Sequence, residues 1–160
     1  GAAGVAVAVL TADCVPILLC AGGGTVVAAI HAGWRGTAAD VAGAAVRAIA
    51  AGFAVPPAAI EARLGPAIGP CCYEVGDEVV AALRAVAGGA AADAVTPGSG
   101  SGRARVDLRA ANRSLLRAAG VPAAAIVDEG PCTRCAAASW FSHRASDGRT
   151  GRQAAVIVRA

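Results

Sequence analysis

The sequence has no lysine, no methionine and only two histidines, and aromatic residues make up just 3% of it. Each shortage excludes something. Without lysine there is no phosphate loop of the GxxxxGK[ST] type. Five aromatics offer little stacking surface, and the fourteen arginines are scattered rather than massed, so no nucleic-acid interface is expected. The apolar runs are too short, and too often broken, for a bilayer span of about 20 residues. A net charge of +3 with 56% hydrophobic residues also rules out a disordered or collagen-like chain.

What is present suits one domain of 160 residues. A chain of this size buries roughly 70% of its unfolded surface. Its core must come from Ala, Val, Leu and Ile. The six cysteines are Cys14, Cys20, Cys71, Cys72, Cys132 and Cys135. The chain is longer and more apolar than small disulfide scaffolds, and no secretory signal is visible, so a reduced, cytoplasmic protein without a membrane anchor is expected. It begins at Gly1 and opens almost at once into a strand-like run. The expectation is a single domain over 1–160 from which an N-terminal segment is missing.

Val5 to Leu10, Val15 to Cys20 and Thr25 to Ile30 read as strands, the last two joined as a hairpin by Gly22 to Gly24. Thr37 can cap a helix to about Ala50, closed by Gly52. Further helices are expected from Gly76 or Asp77 to about Val86, and from Leu108 to Ala119, capped by Asp107 and closed by Gly120. Ile60 to Leu64, Ala124 to Val127 and Ala154 to Val158 read as strands. "TPGSGSG" (96–102) reads as a flexible loop. Strands and helices mix without strict alternation, so the fold class is α+β, a mixed sheet flanked by helices.

Hairpin geometry brings the start of the second strand beside the end of the third. Cys14 in "TADCVP" then meets His31 in "HAGWRGT". Three readings stay open. The pair is a thiolate nucleophile and its base, or half of a zinc site, or a buried thiol beside a core imidazole. Asp13 and Arg35 would be costly in a sealed core, so a site is favoured. Gly33 and Gly36 permit close backbone approach, and Trp34 supplies a flat apolar wall. The two Gly-Pro pairs of "LGPAIGPCCYEVG" build a rigid loop whose N–H groups, Gly69 among them, can face an anion, with Glu74 either capping the next helix or directed at the site. Cys132 and Cys135 form a lone CxxC, read as reduced loop thiols unless Cys71 and Cys72 complete a metal site. "FSHRASDGRTGR" carries arginines, Arg144 among them, that can fork a phosphate or simply face solvent.

These motifs, "TADCVPILL", "HAGWRGT", "GPAIGPCCYEVG", "DLRAANRSLL" and "CTRC…FSHRASDGRTGRQAAVI", stand in the order and rough spacing of the YfiH family, which the chain resembles over nearly its whole length. Members of that family have been called multicopper polyphenol oxidoreductases or laccases, and later purine nucleoside phosphorylases. The resemblance implies an α+β fold related to cysteine-hydrolase toxins of the cytotoxic necrotizing factor type. It implies a zinc site of two His and one Cys, with Cys14 and His31 as the metal ligands here. The second histidine would lie upstream of the sheet, and no residue here matches it; His143 belongs to a different motif. It implies phosphorolysis of adenosine, inosine and 5′-methylthioadenosine, and deamination of adenosine. Arg35 and Arg144 are then candidates for phosphate, and Asp13 for proton transfer or for orienting His31. The partners are purine nucleosides and phosphate. A copper-dependent polyphenol oxidase is a weaker reading, because two histidines cannot fill a trinuclear cluster. The residues also permit an amide or ester hydrolase built on Cys14 and His31, or an inactive truncated fold.

Overall fold

A computed structural model describes residues 4–100 and 102–160. Ser101, inside the expected "TPGSGSG" loop, lies outside the described residues.

The expected hairpin forms. Strands β2 (Val15–Ala21) and β3 (Val26–Ala32) pair antiparallel, with Pro16 opposite His31 and Val15 opposite Ala32. Alternation decides which face they bury. Val15, Ile17 and Leu19 point into the core at 0% exposure, while Leu18 and Cys20 face the other way. Strand β4 (Ile60–Leu64) pairs antiparallel with β2, and β8 (Ile126–Asp128) runs parallel to β4. This completes a mixed four-stranded sheet of order β3-β2-β4-β8. Strand β1 (Ala6–Thr11) pairs instead with β9 (Gln153–Val158), an antiparallel ribbon over the face that carries Leu18 and Cys20. A small third sheet joins β5 (Glu74–Val75), β6 (Val95–Pro97) and β7 (Ala104–Val106) in the order β5-β7-β6. Part of the expected "TPGSGSG" loop is therefore strand: β6 takes in Thr96 and Pro97.

The helices also depart in detail from the sequence pattern. The single helix expected from Thr37 is two: α1 (Trp34–Ala38) and α2 (Val41–Phe53). Asp40 separates them in the left-handed region, and its carboxylate accepts the Gly43 N–H at 3.1 Å. Aspartate tolerates that backbone and caps well, so the helix restarts there. Ala54, not Gly52, ends α2 in the left-handed region. Helix α3 (Asp77–Ala85) and helix α4 (Leu108–Ala118) match expectation, with Asp107 capping α4 through Ala110 N–H at 2.9 Å. Gly120 supplies the φ of +99° that closes α4. Val46 and Ile49 of α2, with Leu115 and Leu116 of α4, share one core with the inner face of the sheet. All six cysteines are free. Among the described residues, no helix is long and apolar enough to cross a membrane.

Candidate functional site

The chain leaves β1 at Thr11 and re-enters the sheet at Val15, so Asp13 and Cys14 sit at a corner. His31 ends β3, and the chain turns at Gly33 into α1. The β2–β3 register sets Cys14 against this turn. A Cβ on Gly33 would stand 2.8 Å from Cys14 Sγ, so glycine is what lets the thiol lie there. Cys14, His31, Trp34 and Arg35 line one cavity of about 300 Å³, floored by Ile68, Tyr73 and Leu108. An adjoining lobe of about 410 Å³ shares Asp13, Cys14, His31 and Tyr73 and adds His143, Arg144 and Arg152. Both fall within the usual range for small-molecule sites.

The turn into α1 is held from beneath. Thr37 Oγ1 donates to Gly33 O at 2.9 Å, and Asn112 Nδ2 on α4 donates to Thr37 Oγ1 at 2.9 Å and to Leu108 O at 2.8 Å. Thr37 and Asn112 are fully buried. The sequence pattern alone did not single out Asn112; an amide among apolar positions of an amphipathic helix was the available signal.

Asp13 is buried, with φ of +83°. Its carboxylate accepts Thr133 Oγ1 at 2.6 Å and the Arg144 N–H at 2.7 Å, and its carbonyl accepts the Ile68 N–H at 2.9 Å. Both carboxylate oxygens are thereby engaged in holding the loop that follows β8. Among the described residues no hydrogen bond joins Asp13 to His31, and none joins Cys14 to His31. Thr133, unlike Asn112, carries no signal in the sequence that marks it out.

Arg35 lies over the Trp34 ring at 4.3 Å, and Arg144 over the Tyr73 ring at 5.3 Å, with Arg144 Nη1 donating to Glu74 O at 3.2 Å. Both guanidinium groups are exposed at the cavity rim. The other two candidate site residues, Gly69 and Glu74, line neither lobe. The Gly69 N–H donates to Cys132 Sγ at 3.2 Å, and the Glu74 carboxylate accepts the Ser99 N–H and hydroxyl at 2.8 and 2.6 Å. Those bonds, the hydroxyl first, hold the Glu74 carboxyl below its ordinary range. Burial pushes the Cys14 thiol up, and the Asp13 carboxylate adds to this. Burial likewise pushes Tyr73 up to about 12.

Thiolate and imidazole suit zinc in kind, and Cys14 and His31 offer two of the three protein ligands a catalytic zinc takes. Among the described residues no third His, Cys, Asp or Glu gathers with them. Among the described residues the one grouping of three or more such side chains is Cys71, Cys72, Cys132 and Cys135.

The chain is 45% identical over 156 residues to adenosine deaminase RL5 of an unknown prokaryotic organism, a match over 98% of the chain and 59% of that relative. It is 43% identical over 164 residues to purine nucleoside phosphorylase YlmD of Geobacillus stearothermophilus, over 98% of the chain and 57% of that relative. It superposes on the crystal structure of Bacillus licheniformis hypothetical protein YfiH with a TM-score of 0.92 at 36% identity, over 97% of the chain and 58% of that structure. The chain thus spans less than two thirds of the length of the relatives it matches. The family model described as multi-copper polyphenol oxidoreductase laccase matches residues 1–160. With the TADC and HAGWRGT turns at one cavity, a matching fold and relatives over nearly its whole length, the chain belongs to this family, whose members include proteins named YfiH and YlmD.

Proposed function

We propose that this chain carries the nucleoside and phosphate site of a zinc-assisted purine nucleoside phosphorylase that also deaminates adenosine. The observation that carries the reading is the single cavity on which Cys14, His31, Trp34, Arg35 and Tyr73 converge. The names of the relatives support the same chemistry.

In this reading Cys14 and His31 hold the metal, with the third ligand left unassigned. Zinc, when bound, supplies Lewis-acid polarisation of an oxygen brought to it. The rest falls to the chain's own side chains. Trp34 and Tyr73 provide the flat walls that a purine ring needs. Arg35 and Arg144 provide guanidinium forks for phosphate at the rim. Asp13 acts as a positioning residue, because its carboxylate fixes the backbone of Arg144. Ile68 and Leu108 keep water from the floor of the cavity. A metal-free Cys14–His31 hydrolase fits less well. Its nucleophile should be an activated thiolate, whereas burial pushes this thiol's pKa up, not down.

The test is adenosine turnover by this chain with zinc, with and without phosphate, resolving adenine, inosine and ribose 1-phosphate by chromatography. Phosphate-dependent adenine that disappears in Cys14→Ala is the expected result. A Cys14→Ala protein with full turnover would overturn the scheme. Rapid alkylation of Cys14 by iodoacetamide at neutral pH, unprotected by zinc, would favour the hydrolase instead.

A further inference from the structure

The four remaining loop cysteines have no part in that scheme, yet they are gathered. Cys71 and Cys72 lie on the turn before β5, and Cys132 and Cys135 on the loop after β8. More than sixty residues separate Cys71 from Cys135, and still all four sulfurs lie within 4.8 Å of one another. Cys135 Sγ stands 3.6 Å from Cys71 Sγ and 3.4 Å from Cys72 Sγ. These separations are too long for disulfide bonds, which are about 2.0 Å. They lie a few tenths of an ångström under the spacing of thiolates around zinc, since Zn–S bonds of about 2.3 Å place tetrahedral sulfurs about 3.8 Å apart.

The surroundings suit a metal thiolate. The Gly69 N–H points at Cys132 Sγ, the outer hydrogen bond that steadies a ligating sulfur. A Cβ on Gly69 would stand 3.2 Å from Cys132 Cβ and 3.3 Å from Cys71 Sγ, so the glycine lets backbone close on the cluster. Four thiolates around a divalent ion leave two negative charges, and Arg134, between Cys132 and Cys135 in the chain, supplies a positive charge on the same loop. Cys71 and Cys135 are exposed, so an ion can enter from solvent.

We propose that Cys71, Cys72, Cys132 and Cys135 hold a structural zinc ion that clamps the 66–73 loop to the 131–144 loop. Four protein sulfurs close the coordination sphere, so this ion has no open position for substrate. Its effect on the cavity is mechanical. The first loop carries Ile68 and Tyr73, the second carries Thr133 and Arg144, and all four residues touch or line the Asp13–Cys14 corner. A parallel bridge between Ala67 and Cys132 and the Thr133 N–H to Ala67 O bond at 3.1 Å already join the two loops beside the cluster.

The test reads metal, not activity, and so stands apart from the fate of the phosphorylase reading. The chain is purified under reducing conditions, stripped by a chelator, and titrated with Co²⁺ and then Zn²⁺. In a Cys14→Ala, His31→Ala protein, where the cavity has lost its ligands, the expected result is about one ion per chain, with the visible bands and sulfur charge transfer of a tetrahedral tetrathiolate. Zinc should displace the cobalt, and removal of the ion should lower the Tm. Cys135→Ser alters one exposed atom and should abolish the tetrathiolate spectrum while circular dichroism stays native. Should Cys135→Ser fail to fold, X-ray absorption on the zinc-loaded unmutated chain decides, by four sulfurs per zinc or fewer. The proposal fails if the Cys14→Ala, His31→Ala protein shows no four-sulfur cobalt spectrum, or if mass spectrometry finds a disulfide among the four cysteines after the same reducing purification.

Discussion

Replacing Thr133 by valine removes one hydroxyl and little else, which makes it a sharp probe of the corner. Thr133 is fully buried and Asp13 is 8% exposed, so water cannot replace the lost donor. The bond is 2.6 Å, in the charge-assisted range for a hydroxyl on a carboxylate. Hydrogen bonds to charged groups contribute about 1.5–3 kcal/mol, and Asp13 keeps the Arg144 N–H as a second donor. The expected loss is therefore about 2 kcal/mol, or a fall of about 4–8 °C in Tm for a domain of this size. Urea unfolding followed by the fluorescence of Trp34 and Trp140 measures it. Asp13→Asn closes a double-mutant cycle, in which the two changes should be strongly non-additive because they share one bond. Two further readouts separate a strut from a catalytic acid. If Asp13 acts by holding the loop, Thr133→Val should weaken phosphate binding while leaving the pH profile of turnover in place. A Thr133→Val protein within about 0.5 kcal/mol of the parent, the usual range for surface changes, would refute the strut.

Gly33→Ala should leave the unfolding midpoint within about 1 kcal/mol of the parent, since φ of −78° suits alanine and only one atom must move. That atom is Cys14 Sγ, so zinc affinity or adenosine turnover should drop about 10–100-fold, as when a ligand is misaligned; full activity would contradict the placement of Cys14. Tyr73 is the sole tyrosine, so its phenolate absorbance can be titrated without ambiguity. It should ionise at about 12 in the folded protein, against about 10 when unfolded. The folded state then keeps a proton that the unfolded state has lost, so stability should fall as pH rises from about 10 to about 12, with no contribution below that window. A phenolate transition near 10 in folded protein would show that the ring is not desolvated at the cavity floor.

What the sequence discloses here depends on how far apart the partners lie. Cys14 and His31 are joined by one hairpin, and hairpin geometry is local, so their convergence on one cavity can be read from two apolar runs and three glycines. Strand β4 and helix α4 announce themselves in the same way, one by its apolar–polar alternation from Ile60 to Leu64, the other by Asp107 and Gly120. The break between α1 and α2 is local too, but it rests on Asp40 adopting a left-handed backbone, which periodicity does not register. The partners of Asp13 are 120 and 131 residues away. Nothing in "TADC" says that its carboxylate will meet a threonine and a backbone amide from the last quarter of the chain. The cysteine cluster is hidden for the same reason. A lone CxxC and a Cys-Cys pair are weak signals apart, and only the approach of two loops turns them into four donors around one point.

The strain at Asp13 explains why those two loops must be fixed together. A φ of +83° at a residue other than glycine costs on the order of 1–3 kcal/mol, and it persists only where the surroundings determine it. Here they do, through three hydrogen bonds from Ile68, Thr133 and Arg144. Those bonds exist only while the 66–73 and 131–144 loops stay in register with each other. The backbone twist that presents Cys14 to the cavity is thus sustained by loops that lie far from it along the chain. If a zinc ion clamps them, the geometry of the proposed catalytic thiol is set by a second metal that never meets the substrate. Loss of that clamp would then lower activity through the position of Cys14 and Arg144, without touching either residue.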